Sequence, residues 1–403
     1  MTDYKRVRNC RVCGSFDLRE YLDLGKQPTP NKLLSSKNEE FPRYPLEVLY
    51  CTQCSLSMLS VVVSPEIMYK DYPYQSSVSS TFKAHCSELA IKLKKYFSKK
   101  PLVLDIASND GCLLGEFKNN GFDVIGVEPA KNLSDIANGK GIKTINSFWG
   151  EHLTRKIPLC DVITATNVFA HVDDLGSFTR AVTNTLSENG IFVLEVPYLF
   201  DLLSNNQFDT IYHEHLSYFL FNPIRRILEL SGMRAFRVER IPIHGGSIRV
   251  YASKDGRIPD DSVAEIEDLE YASGLHSFRT YKKYTKNLKN LKDYFVSLLK
   301  DLKNQKKKVM GYGASAKGIS LMNYCGIDSS HISEIVDDTP SKQGKFTPGG
   351  AIPIVSKDRF DTNHPDYIAL LSWNFSAELK EKTKGHKLRG GKYIVPIPQV
   401  RIE

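Results

Sequence analysis

Two C-x-x-C units, Cys10-Arg11-Val12-Cys13 and Cys51-Thr52-Gln53-Cys54, constrain the fold of this chain more than any other feature. Each unit sets two thiolates close enough to share a metal ion, and two units complete a tetrahedral four-sulfur shell. The chain between them, residues 14–50, must leave the metal and return to it. Pro28, Pro30, Pro42 and Pro45 along the way predict a loop-rich excursion. With Cys10, Cys13, Cys51 and Cys54 all acting as ligands, no position is left for water or substrate. The expected site is therefore a structural Zn2+. Two matched pairs argue against a redox dithiol. A nucleic-acid-binding zinc ribbon needs Arg, Lys and aromatic residues around its knuckles, whereas residues 56–63 (LSMLSVVV) read as a strand packed on a core.

A second pattern begins at Pro101. Residues 101–111 (PLVLDIASNDG) read as a short buried strand ending in a polar loop, followed by a helix from about Cys112 to Asn120. A second strand, 123–128, closes on Glu128. Strand, turn, helix, strand and acid form the nucleotide-binding βαβ unit, in which the acid accepts hydrogen bonds from ribose hydroxyls. Further strands are expected at 142–145, from Asp161 into Asn167, and at 190–196, giving a doubly wound α/β sheet. The loop has a single glycine, Gly111, while Asp105 and Asp110 place negative charge where a pyrophosphate would sit. That charge repels NAD and suits the ammonium and sulfonium of S-adenosylmethionine. The expected donor-binding residues are Asp105, Ala107, Ser108, Asn109, Gly111, Glu128 and Asn167. Phe148 either flanks the adenine or packs in the core with Trp149.

Residues 209–219 (DTIYHEHLSYF) hold the densest cluster of acid–base groups in the chain. On a strand, His213 and His215 would share a face and hold a metal; in an ordinary loop they would serve hydrogen bonding. Acid–base catalysis accounts best for a histidine set beside Glu214 and Tyr212. His244-Gly245-Gly246-Ser247 sits at the mouth of a later strand, where glycines allow close backbone approach to a ligand or simply form a turn.

From Asp260 to about Asn304 a charged, periodic stretch predicts helix bridging two domains. Residues 308–318 (KVMGYGASAKG) then restart the strand, glycine turn and helix pattern. This turn carries Lys317 and no acid, which suits a phosphate at a helix N-terminus. The next strand, 332–336, ends at Asp337. Gly313, Ala314, Lys317 and Asp337 are the candidates for a second nucleotide site. A nicotinamide-dependent reductase would need a catalytic dyad in this half, and none is found.

At 403 residues the chain is long enough for two to three domains, and 54 basic against 46 acidic residues give a net charge of +8. That excess suits an anionic partner of any kind. Taken together, the patterns divide the chain into a zinc-binding domain (1–70), a central Rossmann-like methyltransferase domain (71–259), and a helical bridge with a second Rossmann-like domain (260–403). No apolar stretch approaches membrane-spanning length, and the polar, basic N-terminus has no apolar signal core. The expectation is a cytoplasmic enzyme with reduced thiols, acting neither on membranes nor on nucleic acid.

The two C-x-x-C pairs, Ser108-Asn109-Asp110-Gly111, Asn167 to Val172, Tyr212-His213-Glu214-His215, His244-Gly245-Gly246-Ser247 and Gly311-Tyr312-Gly313-Ala314 occur in an order that resembles the sugar C-methyltransferases, which install methyl branches on deoxysugars. The resemblance spans essentially the whole chain. It implies a 4-keto-6-deoxy sugar carried on dTDP and methylated at C-3′, with the C-terminal domain anchoring the nucleotide sugar. It also implies His215 as the base, Tyr212 and His171 as donors to the developing enolate, and Glu214 orienting a histidine or holding a sugar hydroxyl. Tyr72 and Tyr74 would belong to a cover over the site, where they touch substrate or pack as a linker. The chemistry is consistent with this: a sugar carbon becomes a nucleophile only once a neighbouring ketone acidifies its C–H. A zinc-ribbon RNA methyltransferase is the alternative, disfavoured by the third module.

Overall fold

The computed structural model describes residues 3–69, 76–78 and 80–403. Tyr72 and Tyr74 lie outside the described residues. The central element is a 7-stranded sheet whose spatial order is Arg234–Ile241, Ser247–Ser253, Leu186–Pro197, Cys160–Thr166, Leu102–Ile106, Asp123–Glu128 and Thr144–Asn146. The strands from Leu186–Pro197 to Thr144–Asn146 are parallel, and the first two form an antiparallel hairpin on one edge. Crossover helices Cys112–Asn119, Lys131–Gly139 and Leu175–Thr185 connect them, giving the doubly wound α/β architecture. The third strand begins two residues later than the pattern suggests. The Ile142 amide first closes the preceding helix onto the Ala137 carbonyl (3.1 Å), and its side chain is buried.

The C-terminal sheet is 6-stranded, in the order Ile354–Val355, Ile335–Val336, Val309–Tyr312, Tyr367–Leu370, Lys392–Val395 and Arg401–Ile402. Its strands are parallel except the last. The strand expected from Ile332 shortens to Ile335–Val336, because the Ile332 amide caps a turn onto Asp328 (3.1 Å). The bridge is two helices, Asp261–Ala272 and Phe278–Asn304, separated at Gly274, whose φ of 66° ends the first. Leu288, Leu291, Phe295 and Leu299 recur at helical spacing on the buried face of the second.

The N-terminal module departs most from expectation. Residues 14–50 contain two long antiparallel strands, Leu18–Gln27 and Tyr44–Cys51, rather than mostly loop. Pro28, Pro30 and Pro42 fall in the connection, and Pro45 falls near a strand start, where a missing amide is tolerated. Residues 56–63 form two short strands, Ser57–Leu59 and Val61–Val63, which join different sheets. The chain bends at Ser60, whose hydroxyl donates to Glu47 Oε2 at 2.6 Å. The 4-stranded sheet runs Ser217–Tyr218, Ser57–Leu59, Tyr44–Cys51, Leu18–Gln27, so its outer strand comes from the acid–base segment of the central domain. One continuous apolar core joins all three modules, including Val48, Leu59, Phe219, Leu288 and Ile319.

Candidate active site

The four paired cysteines converge, with their sulfurs all within 4.8 Å of one another. Cys10 and Cys54 are 3.5 Å apart at sulfur, as are Cys13 and Cys51. Four thiolates at ~2.3 Å from one ion would sit ~3.8 Å apart, so the set fits tetrahedral Zn2+. Both knuckles turn alike: Gly14 N donates to Cys10 O and Ser55 N to Cys51 O, each at 2.9 Å. Ser55 takes the left-handed φ of 62° that Gly14 takes at 73°. The shell is closed and largely buried, as a structural site requires. Of the scattered cysteines, Cys86, Cys160 and Cys325 are buried and Cys112 is half-buried.

At the carboxyl edge of the central sheet, Glu128 Oε2 accepts from Asn109 N (2.9 Å) and Oε1 from Ala130 N (2.8 Å), which ties the loop after the first strand to the acid after the second. Gly126 permits this approach, since a Cβ there would fall 2.5 Å from Ser108 Oγ. Ala107, Asn109, Asn167 and His244 all have φ between 51° and 58°, the strained backbone that gathers at ligand sites. Buried Ser108 Oγ, Asp110 Oδ1 and Asn167 Oδ1 have no partner within the protein, so the pocket offers polar atoms to a ligand. The two acids differ in surroundings. Asp110 pairs with Lys140 at 3.2 Å, whereas Asp105, buried and bonded to the Thr164 hydroxyl at 2.6 Å, is pushed up to about 7 by burial. Phe148 is 57% exposed beside this edge, while Trp149 packs against Phe178 and donates to its carbonyl at 3.2 Å. These residues fit the ammonium, ribose and adenine of S-adenosylmethionine.

The acid–base segment divides its side chains between two directions. His213 faces the zinc module, its Nε2 3.2 Å from Pro45 O and its ring edge-on to Tyr44. It therefore does not share a metal with His215. Glu214 also faces that module, where Asn31 Nδ2 donates to its Oε1 at 2.5 Å. Arg11, inside the first knuckle, donates to Leu216 O at 2.9 Å and Leu59 O at 3.3 Å, so the metal-bearing turn props the segment directly.

His215 turns the other way. Its Nδ1 lies 2.8 Å from Thr210 O, an acceptor only, so Nδ1 carries the proton and Nε2 is the bare nitrogen. The Tyr212 hydroxyl donates to that Nε2 at 3.2 Å. Leu216 N bonds Ala170 O at 2.7 Å, which brings the His171 ring edge-on to His215 at 5.0 Å. Burial, then the neighbouring His171, hold His215 well below its ordinary pKa. His171 is pushed down to about 4 by burial, and His244 to about 4 by burial and Lys317. All three are neutral at pH 7.

In the second Rossmann-like domain, Asp337 repeats what Glu128 does in the first. Its Oδ2 accepts from Ala314 N (2.8 Å) and its Oδ1 from Thr339 N (2.9 Å), with Lys342 Nζ at 3.3 Å. Gly313 and Ala314 thus form a turn backed by an acid and a lysine. Lys317 is directed away from this turn: its Nζ donates to His244 O at 3.1 Å, across the domain boundary.

Several neighbours were not singled out from the sequence. Asp209 is fully buried and accepts from Trp373 Nε1 at 2.6 Å. Glu195, beside Asn167 at the sheet edge, is bonded by His85 (2.9 Å) and buried Arg249 (3.0 Å). The lone charged residue in the strand Ser247–Ser253 was the available signal for Arg249. Nothing local pointed to Asn31 or Trp373. Among the described residues no helix is long and apolar enough to cross a membrane.

The chain matches three family models: the C-methyltransferase C-terminal domain over residues 242–398, a zinc binding domain over 10–69, and a methyltransferase domain over 81–235. It is 34% identical over 406 residues to the C-methyltransferase NovU of Streptomyces niveus, covering 98% of this chain and 97% of that protein. Among solved structures, a SAM dependent methyltransferase from Archaeoglobus fulgidus is similar at 16% identity and a TM-score of 0.36, over 42% of this chain and 93% of that one. Magnesium protoporphyrin IX methyltransferase ChlM from Synechocystis PCC 6803, with bound SAH, is similar at 13% identity and a TM-score of 0.36, over 46% and 90%.

Proposed function

The chain belongs to the C-methyltransferase family, with S-adenosylmethionine as methyl donor and a structural zinc, and on that premise we propose that it methylates C-3′ of a 4-keto-6-deoxy sugar carried on dTDP. The observation that carries the reading is the bare Nε2 of a buried, neutral His215, held in that tautomer by the Thr210 carbonyl. A neutral imidazole with a fixed lone pair can take a proton from carbon, and a carbon acidified by an adjacent ketone can give one. Asp105, Ala107, Ser108, Asn109, Gly111, Glu128, Phe148 and Asn167 hold the donor, which when bound supplies an electrophilic methyl carbon on a sulfonium.

His215 Nε2 removes the C-3′ proton. The Tyr212 hydroxyl, which rests on that nitrogen in the free enzyme, is released to donate to the ketone oxygen when the sugar C–H takes its place. His171 lies against the same ring and lends a second donor. Glu214, anchored by Asn31, orients the segment or receives a sugar hydroxyl. His244 forms the rim, and the Gly313-Ala314 turn with Asp337 receives the nucleotide end. Alignment and exclusion of water do the rest. The reading includes a reducing, cytoplasmic setting, in which all eight cysteines stay free thiols or metal ligands.

Incubating the purified enzyme with S-adenosylmethionine and freshly made dTDP-4-keto-6-deoxyhexose tests it. The expected result is a mass gain of one methyl, placed on carbon by proton NMR. No gain across dTDP, GDP and CDP keto sugars, with the donor shown to bind, would reject the sugar substrate.

A further inference from the structure

Lys317 belongs by sequence to the C-terminal domain, in the first turn of the helix Ala316–Cys325. Spatially it belongs to the reaction cluster of the central domain. The helix packs on the Phe208–Thr210 turn that carries Asp209. Lys317 Nζ donates one proton to His244 O at 3.1 Å and lies 5.5 Å from the centre of the Trp373 ring. Trp373 in turn holds Asp209 Oδ2, while Asp209 Oδ1 is buried without a partner. The ammonium therefore sits between His244 O and the Asp209–Trp373 pair, its helix seated on the turn whose Thr210 carbonyl holds His215, with two of its three protons not committed to His244.

A half-buried ammonium costs free energy unless it is compensated. Asp209 supplies part of that compensation: burial lowers the Lys317 pKa and Asp209 raises it. The cation also works against holding a proton on His215, whose pKa it depresses. A cation beside a base is counterproductive for the base alone. It is productive when the same reaction creates an anion next to it. A diphosphate is a poor fit to this position, because its two or more negative charges would lie beside the Asp209 carboxylate.

We propose that Lys317 is a catalytic residue that donates a hydrogen bond from Nζ to the substrate ketone oxygen as the enolate forms, with Asp209 positioning it. This rests on the keto-sugar reading above. In the step, the C-3′–H bond breaks and its proton passes to His215 Nε2. The bonding pair becomes the C–C π bond of the enolate, the former C=O π pair moves onto oxygen, and the Lys317 N–H faces that charge.

The test uses the full-length, zinc-loaded enzyme and Lys317→Met. Exchange of the C-3′ proton in deuterated water is followed by NMR at saturating sugar nucleotide, and dTDP binding is measured by calorimetry. Lys317→Met should slow exchange about 100-fold and leave the dTDP Kd within about threefold, with Lys317→Arg intermediate. Wild-type exchange in Lys317→Met overturns the proposal. So does a tenfold or greater loss of dTDP affinity with exchange at saturation intact, the signature of a phosphate anchor. Should Lys317→Met fail to fold, the pair Asp209→Asn with Lys317→Met removes the lone buried charge and carries the same test. Absence of both exchange and methyl uptake in the wild type overturns the keto-sugar reading as well, whereas wild-type exchange with an unaffected Lys317→Met overturns the lysine's role alone.

Discussion

Trp373 donates its indole N–H to the carboxylate of Asp209 at 2.6 Å, joining two side chains 164 residues apart in sequence and fastening the C-terminal domain onto the catalytic segment. Asp209 has no exposure to water through which to replace the bond.

Removing the indole should therefore cost more than removing the charge. Trp373→Phe leaves a buried carboxylate with neither oxygen hydrogen-bonded to a side chain, a loss of about 2 kcal/mol. Asp209→Asn keeps an acceptor for the indole and should cost less. Thermal unfolding of the two variants and of the double variant measures the difference. An equal or larger loss in Asp209→Asn would show that the indole bond is not the fastening.

His215→Asn should abolish exchange of the C-3′ proton, by about 10³-fold, while S-adenosylmethionine binding stays near wild type. Asn cannot present a lone-pair nitrogen at the Nε2 position. Exchange persisting at the wild-type rate would remove His215 as the base.

The zinc shell should be needed for catalysis through structure alone. Arg11, within the first knuckle, holds Leu216 O, and the strand Ser57–Leu59 pairs with Ser217–Tyr218. Cys51→Ser, or chelation, should remove one zinc per chain by elemental analysis, lower Tm and depress kcat together. Full activity at normal Tm after complete zinc loss would contradict the buttress.

Donor affinity should depend on pH through Asp105. Its folded pKa lies at about 7, raised by burial above the ordinary carboxylate value, with the Glu128 charge adding to the rise. Above pH 7 the carboxylate is already ionised and ready for a cation. Below it, binding must expel a proton, so affinity should fall by about tenfold per pH unit as pH drops. Calorimetry at pH 5.5 and 8 checks this. Asp105→Asn should bind weakly with a flatter profile; parallel curves for the two proteins would assign the proton elsewhere.

What the sequence disclosed was local. The two C-x-x-C pairs, the loop from Asp105 to Gly111, Glu128 at its strand end and the acid–base segment each follow from spacing within one or two elements. What it hid was set by packing between distant elements. Adjacent positions gave no sign that His213 and His215 would face opposite ways, because Ser217–Tyr218 joins a sheet whose other strands end before residue 60. Lys317 beside a glycine turn implied a phosphate, and only the helix seated on Asp209 reveals another environment. Pro28 and Pro30 suggested loop, yet antiparallel pairing of Leu18–Gln27 with Tyr44–Cys51 built a strand up to their border.

The pairing of Met58 with Ser217 also sets an order of events during synthesis. The strand Ser57–Leu59 leaves the ribosome long before its outer partner exists. At 5–20 residues per second, the 158 residues between Met58 and Ser217 take roughly 8–30 s to appear. For that interval the nascent chain carries an apolar, unprotected edge, the kind of surface that pairs with other chains. Early capture of metal by the cysteines would hold this edge in one shape until the rest arrives, so zinc supply during translation should govern the yield of folded protein as well as its final stability.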